Sequence, residues 1–124
     1  MKRALALVVL GLAACSQRDA AAPPDPDLDG AKAQVRRFFD AVAHADCATM
    51  GALVAETQDP AKCAKLVHEW QDDLHVRLID IADARRDGRD ARAIIVRASV
   101  MRREAQKDML VRVTREGGAW RLGL

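Results

Sequence analysis

The chain has 124 residues, with 20 Lys and Arg against 18 Asp and Glu, two Trp, two Phe and no Tyr. A chain of this length holds one domain around one core. Near-balanced charge and so few aromatic rings (Phe38, Phe39, Trp70, Trp120) leave little to track phosphates or stack bases, so nucleic acid is excluded as an expected partner.

Lys2 and Arg3 give the chain a positive start. Ala4 to Leu10 are apolar throughout, and Gly11, Leu12, Ala13 and Ala14 continue the run in small or apolar residues. This is the pattern of a secretory signal, and it is too short to span a bilayer, which takes ~20 residues. Leu12-Ala13-Ala14-Cys15 resembles the lipobox of bacterial lipoproteins. The resemblance implies a diacylglyceryl group on the Cys15 thiol, cleavage before Cys15 and acylation of the new amino terminus. Two or more acyl chains anchor a protein stably to a membrane. Ser16 implies, by the same resemblance, the outer membrane rather than inner-membrane retention. The expected location is therefore the bacterial cell envelope, lipid-anchored and facing the periplasm. The alternative is an ordinary signal peptide with an incidental Cys15.

Residues 1–14 are then a signal peptide and 15–29 a lipidated cysteine with its tether. Within 16–29 lie three prolines, four aspartates and one large apolar residue, Leu28, too little apolar surface for a core. From Gly30 onward 17 Lys and Arg face 14 Asp and Glu, because Lys2, Arg3 and Arg18 lie before it, as do Asp19, Asp25, Asp27 and Asp29. With Cys15 committed to lipid, Cys47 and Cys63 remain as an even pair in an oxidising compartment. A disulfide between them is expected, worth ~3 kcal/mol in the chain-entropy view; two buried free thiols are the alternative. No second pair of ligands at suitable spacing accompanies them, so no metal is expected.

A first helix is expected from Asp29 or Gly30, capped by Asp29, with Ala31, Val35, Phe38, Phe39 and Val42 on one face and an end near His44. Asp46 caps a short second helix carrying Cys47, Met50, Leu53 and Val54, which Gly51 weakens. Asp59-Pro60 starts a third with Cys63, Leu66, Val67 and Trp70 on one side. From Leu74 the period changes to two: Leu74, Val76 and Leu78 alternate with His75 and Arg77, and Ile79 and Ile81 fall out of phase, which predicts a bulge or burial on both sides. Arg86-Asp87-Gly88-Arg89 suits a type I′ hairpin. Strands follow over 91–101, from Met109 to Thr114 after a turn at 102–107, and from Trp120 to Leu124 after Gly117-Gly118. Helices first and strands after give an α+β fold, three N-terminal helices packed on a four-stranded antiparallel meander. Arg92, Arg97, Arg102, Arg112 and Arg121 are expected on its outer face.

Residues 30–124 resemble the small nuclear transport factor two-like (cystatin-like cone) domains of bacterial lipoproteins. The features that carry the resemblance are the 31–42 helix with paired Phe38-Phe39, Ala45-Asp46 opening a second helix, and the closing Leu110-to-Leu122 hairpin with its Glu116-Gly117-Gly118 turn and Trp120. Larger relatives include isomerases and dehydratases that use a buried Asp or His between sheet and helices. Candidate bases here are His44, His68, His75, Asp46, Asp72, Asp73 and Asp80, but none recreates the family's catalytic motif, no Tyr is present to polarise a carbonyl, and no Ser/His/Asp spacing suggests a nucleophile. No catalytic residue and no cofactor are expected. The expected pocket or groove residues are Phe38, Phe39, Trp70, His75, Arg97 and Trp120, with His75 and Arg97 on neighbouring strands. The expected function is an anchored, non-catalytic domain holding an envelope protein or a small ligand. The alternatives are a small isomerase- or dehydratase-type enzyme, or a structural component of an envelope complex.

Overall fold

The computed structural model describes residues 25–124. The expected signal peptide, Cys15 and most of the expected tether lie outside the described residues. Helices α1 (Pro26–Ala43), α2 (Cys47–Leu53) and α3 (Pro60–His68) precede strands β1 (Arg77–Arg86), β2 (Ala93–Arg102), β3 (Ala105–Glu116) and β4 (Ala119–Gly123). The strands form one antiparallel meander in the order β1-β2-β3-β4. The fold is α+β, with the helices leading and the sheet following.

Helix α1 starts at Pro26 rather than at Asp29 or Gly30. Asp25 accepts a hydrogen bond from the Asp27 N–H, Pro26 takes the first turn, and Asp27 and Asp29 stand at the positive end of the helix. Asp25-Pro26 is the same start signal as Asp59-Pro60, where Asp59 accepts from the Ala61 N–H. Residues 26–29 therefore belong to the domain, and Leu28 packs against its core.

Helix α1 ends in a Schellman turn. The Asp46 N–H donates to the Ala41 carbonyl at 2.8 Å and the Ala45 N–H to that of Val42 at 3.1 Å. Ala45 supplies the left-handed residue, with φ of 52°. Gln71 reaches over from the turn after α3 and donates to the Val42 and Ala43 carbonyls at 2.7 and 3.1 Å, satisfying groups a helix end leaves orphaned. Asp46 caps α2 as expected, accepting from the Thr49 N–H and hydroxyl. Gly51 has a role beyond weakening that helix. A Cβ there would meet Gln58 Cγ at 3.0 Å and its Cα at 3.2 Å, so the glycine lets the turn Ala55–Gln58 fold back onto α2.

Cys47 and Cys63 are joined in a disulfide with their Cα atoms 5.9 Å apart. Cys63 is buried and lies 3.6 Å from the Met50 sulfur, whereas Cys47 is exposed at the start of α2. The bridge fastens α2 to α3 behind the layer that faces the sheet.

The core lies between helices and sheet. Val35, Phe38, Met50 and Leu53 meet Ile94, Val96, Val111 and Val113, all of them 2% exposed or less. The expected irregularity in β1 is present twice, at Ile79 and Ala82, where the register with β2 shifts. Gly117 and Gly118 have φ of 56° and 82°, the two positive values a type I′ turn needs between Glu116 and Ala119. The Asp87-Gly88 turn differs from expectation. Gly88 is not left-handed, and β2 begins only at Ala93. Asp87 and Asp90 accept from the N–H groups of Arg89 and Arg92 instead, making two successive Asx turns in a longer loop. The second hairpin is tighter than expected, with Arg103 and Glu104 alone between paired Arg102 and Ala105.

Among the described residues no helix is long and apolar enough to cross a membrane.

Candidate functional site

The residues expected to share a pocket divide among three places. The first is the end of the helix–sheet sandwich where α1 finishes. Helix α3 continues there into a π-type turn, Glu69–Asp73, whose Leu74 N–H donates to the Glu69 carbonyl at 2.8 Å. The wider turn swings Trp70 inward. Its ring meets Phe38 edge-on at a centroid distance of 5.6 Å, and Phe39 at 5.4 Å. All three rings are less than 10% exposed, so they fill the space between helices and sheet.

What remains open is a shallow cleft of about 420 Å³ outside these rings, lined by Phe39, Trp70, Val76 and Leu78 with Arg36, Asp40, Gln71 and Arg77 at its rim. A smaller cleft of about 230 Å³ lies beside it, between Trp70, Leu74, Val76, Lys107 and Met109. His75 and Arg103, both left-handed with φ of 48° and 57°, flank this end. The Arg103 N–H donates to the Leu74 carbonyl at 2.6 Å, tying the β2–β3 turn to the π-type turn. His75 itself is exposed and precedes β1, which starts at Arg77.

The second place is the opposite end, where α1 begins. Trp120 lies over Gly30, where a Cβ would approach its ring to 2.9 Å. The Arg115 guanidinium stacks on the Trp120 ring at 4.8 Å and reaches Asp27 at 3.3 Å. Arg86, at the end of β1, pairs with Asp25 at 2.9 Å and Asp27 at 2.7 Å, and donates to the Ala91 carbonyl. The Arg86 guanidinium holds the Asp25 carboxyl below its ordinary value, with help from the Asp27 N–H and against partial desolvation. Trp120 therefore belongs to a clamp on the start of α1, and it does not join Phe38, Phe39 and Trp70.

The third place is the outer sheet face. Arg97 opposes Asp83 across the β1–β2 pair and is bonded to it at 2.5 Å, with Asp108 at 3.7 Å on its other side. It does not form a groove with His75. Arg112 pairs with Asp87 at 2.5 Å and Asp90 at 3.2 Å. The Asp87 carboxyl is lowered first by the Arg89 N–H and then by Arg112, and that of Asp90 first by the Arg92 side chain. Of the other arginines expected on this face, Arg92 sits in the β1–β2 loop paired with Asp90, and Arg102 closes β2. Arg121 donates to the Ala52 carbonyl of α2 instead.

The candidate acids and bases all sit at the surface. His44 bonds back to the Asp40 carbonyl, and His68 lies 2.8 Å from Asp72 and 3.7 Å from Asp73, with its side chain 64% exposed. Asp46 is held below its usual value by the Thr49 hydroxyl and N–H as a cap. Asp80 accepts from the Ile81 N–H. Among the described residues no group of three or more His, Cys, Asp or Glu is placed to hold a metal ion.

Gln71 and Gly30 were missed from the sequence, because a residue 28 positions from the helix end it caps, or a glycine under a distant ring, leaves no periodic trace. Arg86 had a local signal, since it ends the first strand, but its partners lie 59 and 61 residues away. A scan of the chain against protein-family models and searches of the curated proteins and the solved structures gave no match.

Proposed function

We propose that this chain is a lipid-anchored protein of the bacterial cell envelope, held at the outer membrane through Cys15 and facing the periplasm. Its domain belongs with the nuclear transport factor two-like domains and binds an envelope protein or a small ligand without catalysing a reaction. The order of three helices and a meander supports the family reading. The lipobox pattern around Cys15 and a disulfide between Cys47 and Cys63 support an exported, anchored chain. The observation that carries the binding reading is the aromatic filling. Phe38, Phe39 and Trp70 occupy the volume where a pocket enzyme would place substrate, and the acid–base candidates stand outside it in water.

Fractionation of cells expressing the full chain tests the anchor. Cys15→Ser is expected to release the protein from membranes or leave its signal uncleaved, and unchanged processing with full membrane retention would overturn it. Native mass spectrometry of the detergent extract tests the binding role. A bound small molecule or a dissociable envelope protein supports it, whereas a permanent stoichiometric assembly favours a structural component.

A further inference from the structure

Strand β3 is much longer than its outer neighbour. It spans Ala105–Glu116, but β4 pairs only with residues 112–116 of it, Arg112 opposing Gly123. Among the described residues, 105–111 have β2 on one side and no strand on the other. Antiparallel ladders alternate the edge to which successive residues point their N–H and C=O groups. The two-residue turns set the phase. Glu116 and Ala119 close one turn and Arg102 and Ala105 the other, so even-numbered residues of β3 face β4 and odd-numbered ones face β2. Gln106, Asp108 and Leu110 thus direct their backbone groups to the open edge. No hydrogen bond within the described residues uses those groups, and all three residues are exposed. A regular strand with a free edge is a template for another strand.

The edge has a wall beside it. The 230 Å³ cleft joins Trp70 and Leu74 to Lys107 and Met109, and a groove of about 660 Å³ joins Lys65 and Leu66 of α3 to Leu122 and Leu124. The π-type turn therefore faces β3 across the first cleft, and α3 faces the end of β4 across the second, so apolar patches lie beside the unpaired edge and in line with it.

A second copy fits this edge poorly. Two copies paired antiparallel about a two-fold axis must match even residues with even residues. Centring on residue 108 puts Asp108 against Asp108, and centring on 107 puts Lys107 against Lys107; like charges directly opposite destabilise a sheet. Centring on 109 brings Gln106 of the second copy to Arg112, where Gly123 already sits.

We propose that residues 106–110 of β3 bind an extended segment of a different protein by strand addition, in line with β4. Lys107, which has no ion-pair partner among the described residues, calls for an acidic residue on the groove side. Met109 calls for an apolar residue on that side, and Asp108, 3.7 Å from Arg97, for a basic residue on the outer side. The proposal rests on the partner-binding reading above for the existence of such a segment, but it does not depend on Cys15.

The test uses the full-length chain in detergent and the probe peptide acetyl-Thr-Val-Lys-Glu-Thr-amide, at millimolar concentration, read by amide hydrogen exchange. Exchange at Gln106, Asp108 and Leu110 is expected to slow by about tenfold or more, while Lys107 and Met109, already bonded to β2, stay unchanged. Methylating the backbone nitrogen of the peptide's Lys removes the donor to the Asp108 carbonyl and is expected to abolish the effect. Asp108→Pro gives the same loss, since proline is tolerated where the N–H points away from the ladder, and Asp108→Asn, which keeps the N–H and loses the charge, weakens binding by only about two- to fivefold. Absent or uniform protection, or equal binding of the methylated peptide, overturns the proposal. A full-length dimer whose Gln106, Asp108 and Leu110 amides are already protected overturns it in favour of self-association. Failure here with Cys15→Ser still releasing the protein would locate the error in the edge and leave the anchor standing.

Discussion

The two faces of the sheet are built from the same strands by opposite means. Along β2, Ile94, Val96, Ala98 and Val100 face the helices and are no more than 4% exposed. Between them Ile95 is half-buried, Arg97 lies in water, and Leu110 across the pair is 60% exposed. The inner face is held by excluding water from apolar surface, worth about 25 cal/mol per Å². The outer face is held by pairs such as Arg97–Asp83 and Arg112–Asp87, which solvent screens so that each adds little. One face therefore carries the stability, and the other is free to vary in charge at little cost.

The sharpest way to break that contrast is in the aromatic cluster. Phe38 is fully buried and meets both Phe39 and Trp70. Phe38→Ala is expected to lower unfolding free energy by ~3–5 kcal/mol, measured by urea denaturation. A loss near that of a surface substitution would mean that the space between helices and sheet is not packed. Next in size is the disulfide. Replacing Cys47 and Cys63 together by Ser is expected to cost ~3 kcal/mol, and dithiothreitol should reproduce most of this in the unaltered protein. A reductant-insensitive midpoint would show that the Met50 layer alone holds α2 to α3.

These two effects were also the ones visible in the sequence, for the same reason. Val35, Phe38 and Phe39 repeat with the helix period, Ile94, Val96, Ala98 and Val100 repeat with the strand period, and periodicity is what burial against a single face imposes. The even pair of cysteines needed only a count. The start of α1 differs from expectation because the acidic, proline-rich run around Asp25-Pro26 has a composition shared by tethers and helix caps; Arg86, far along the chain, decides between them. Alternation that continues through Leu74, His75 and Val76 sets His75 on a strand beside Arg97, yet the π-type turn and a left-handed His75 delay the strand to Arg77. The open half-edge of β3 left no trace in any window of residues, since it follows from a mismatch in strand lengths.

Smaller effects come from the helix ends that hold the inner layer in place. Ala45 occupies a left-handed position that glycine fills without strain. Ala45→Gly is expected to stabilise by ~1 kcal/mol, and a destabilised variant would refute the Schellman geometry. At the other end, Asp25 has a depressed carboxyl because of Arg86. A group whose folded value lies below its unfolded value stabilises the fold above the unfolded value, here the ordinary 3.8, and that stabilisation is lost as pH falls through the folded value. Asp25→Asn should therefore remove part of the acid-side slope of stability below about pH 4 while leaving the neutral-side slope alone. An unchanged acid profile would argue against the Asp25–Arg86 pair.

The smallest effect belongs to the outer face. Arg97 touches Asp83 and Asp108, its side chain is 45% exposed, and Leu110, its neighbour across the pair, is itself 60% exposed. Arg97→Ala is expected to change stability by less than about 0.5 kcal/mol, and the small change should shrink further in 1 M salt, where screening acts within ~3 Å. If removing Arg97 instead cost as much as removing a core methylene, the two faces would not divide their work as described, and the Asp83–Arg97–Asp108 row would be holding β1 and β3 to β2. A near-zero cost leaves that row free for a surface role, and because Asp108 lies beside the open edge of β3, Arg97→Ala would then be expected to alter strand addition there without altering the fold.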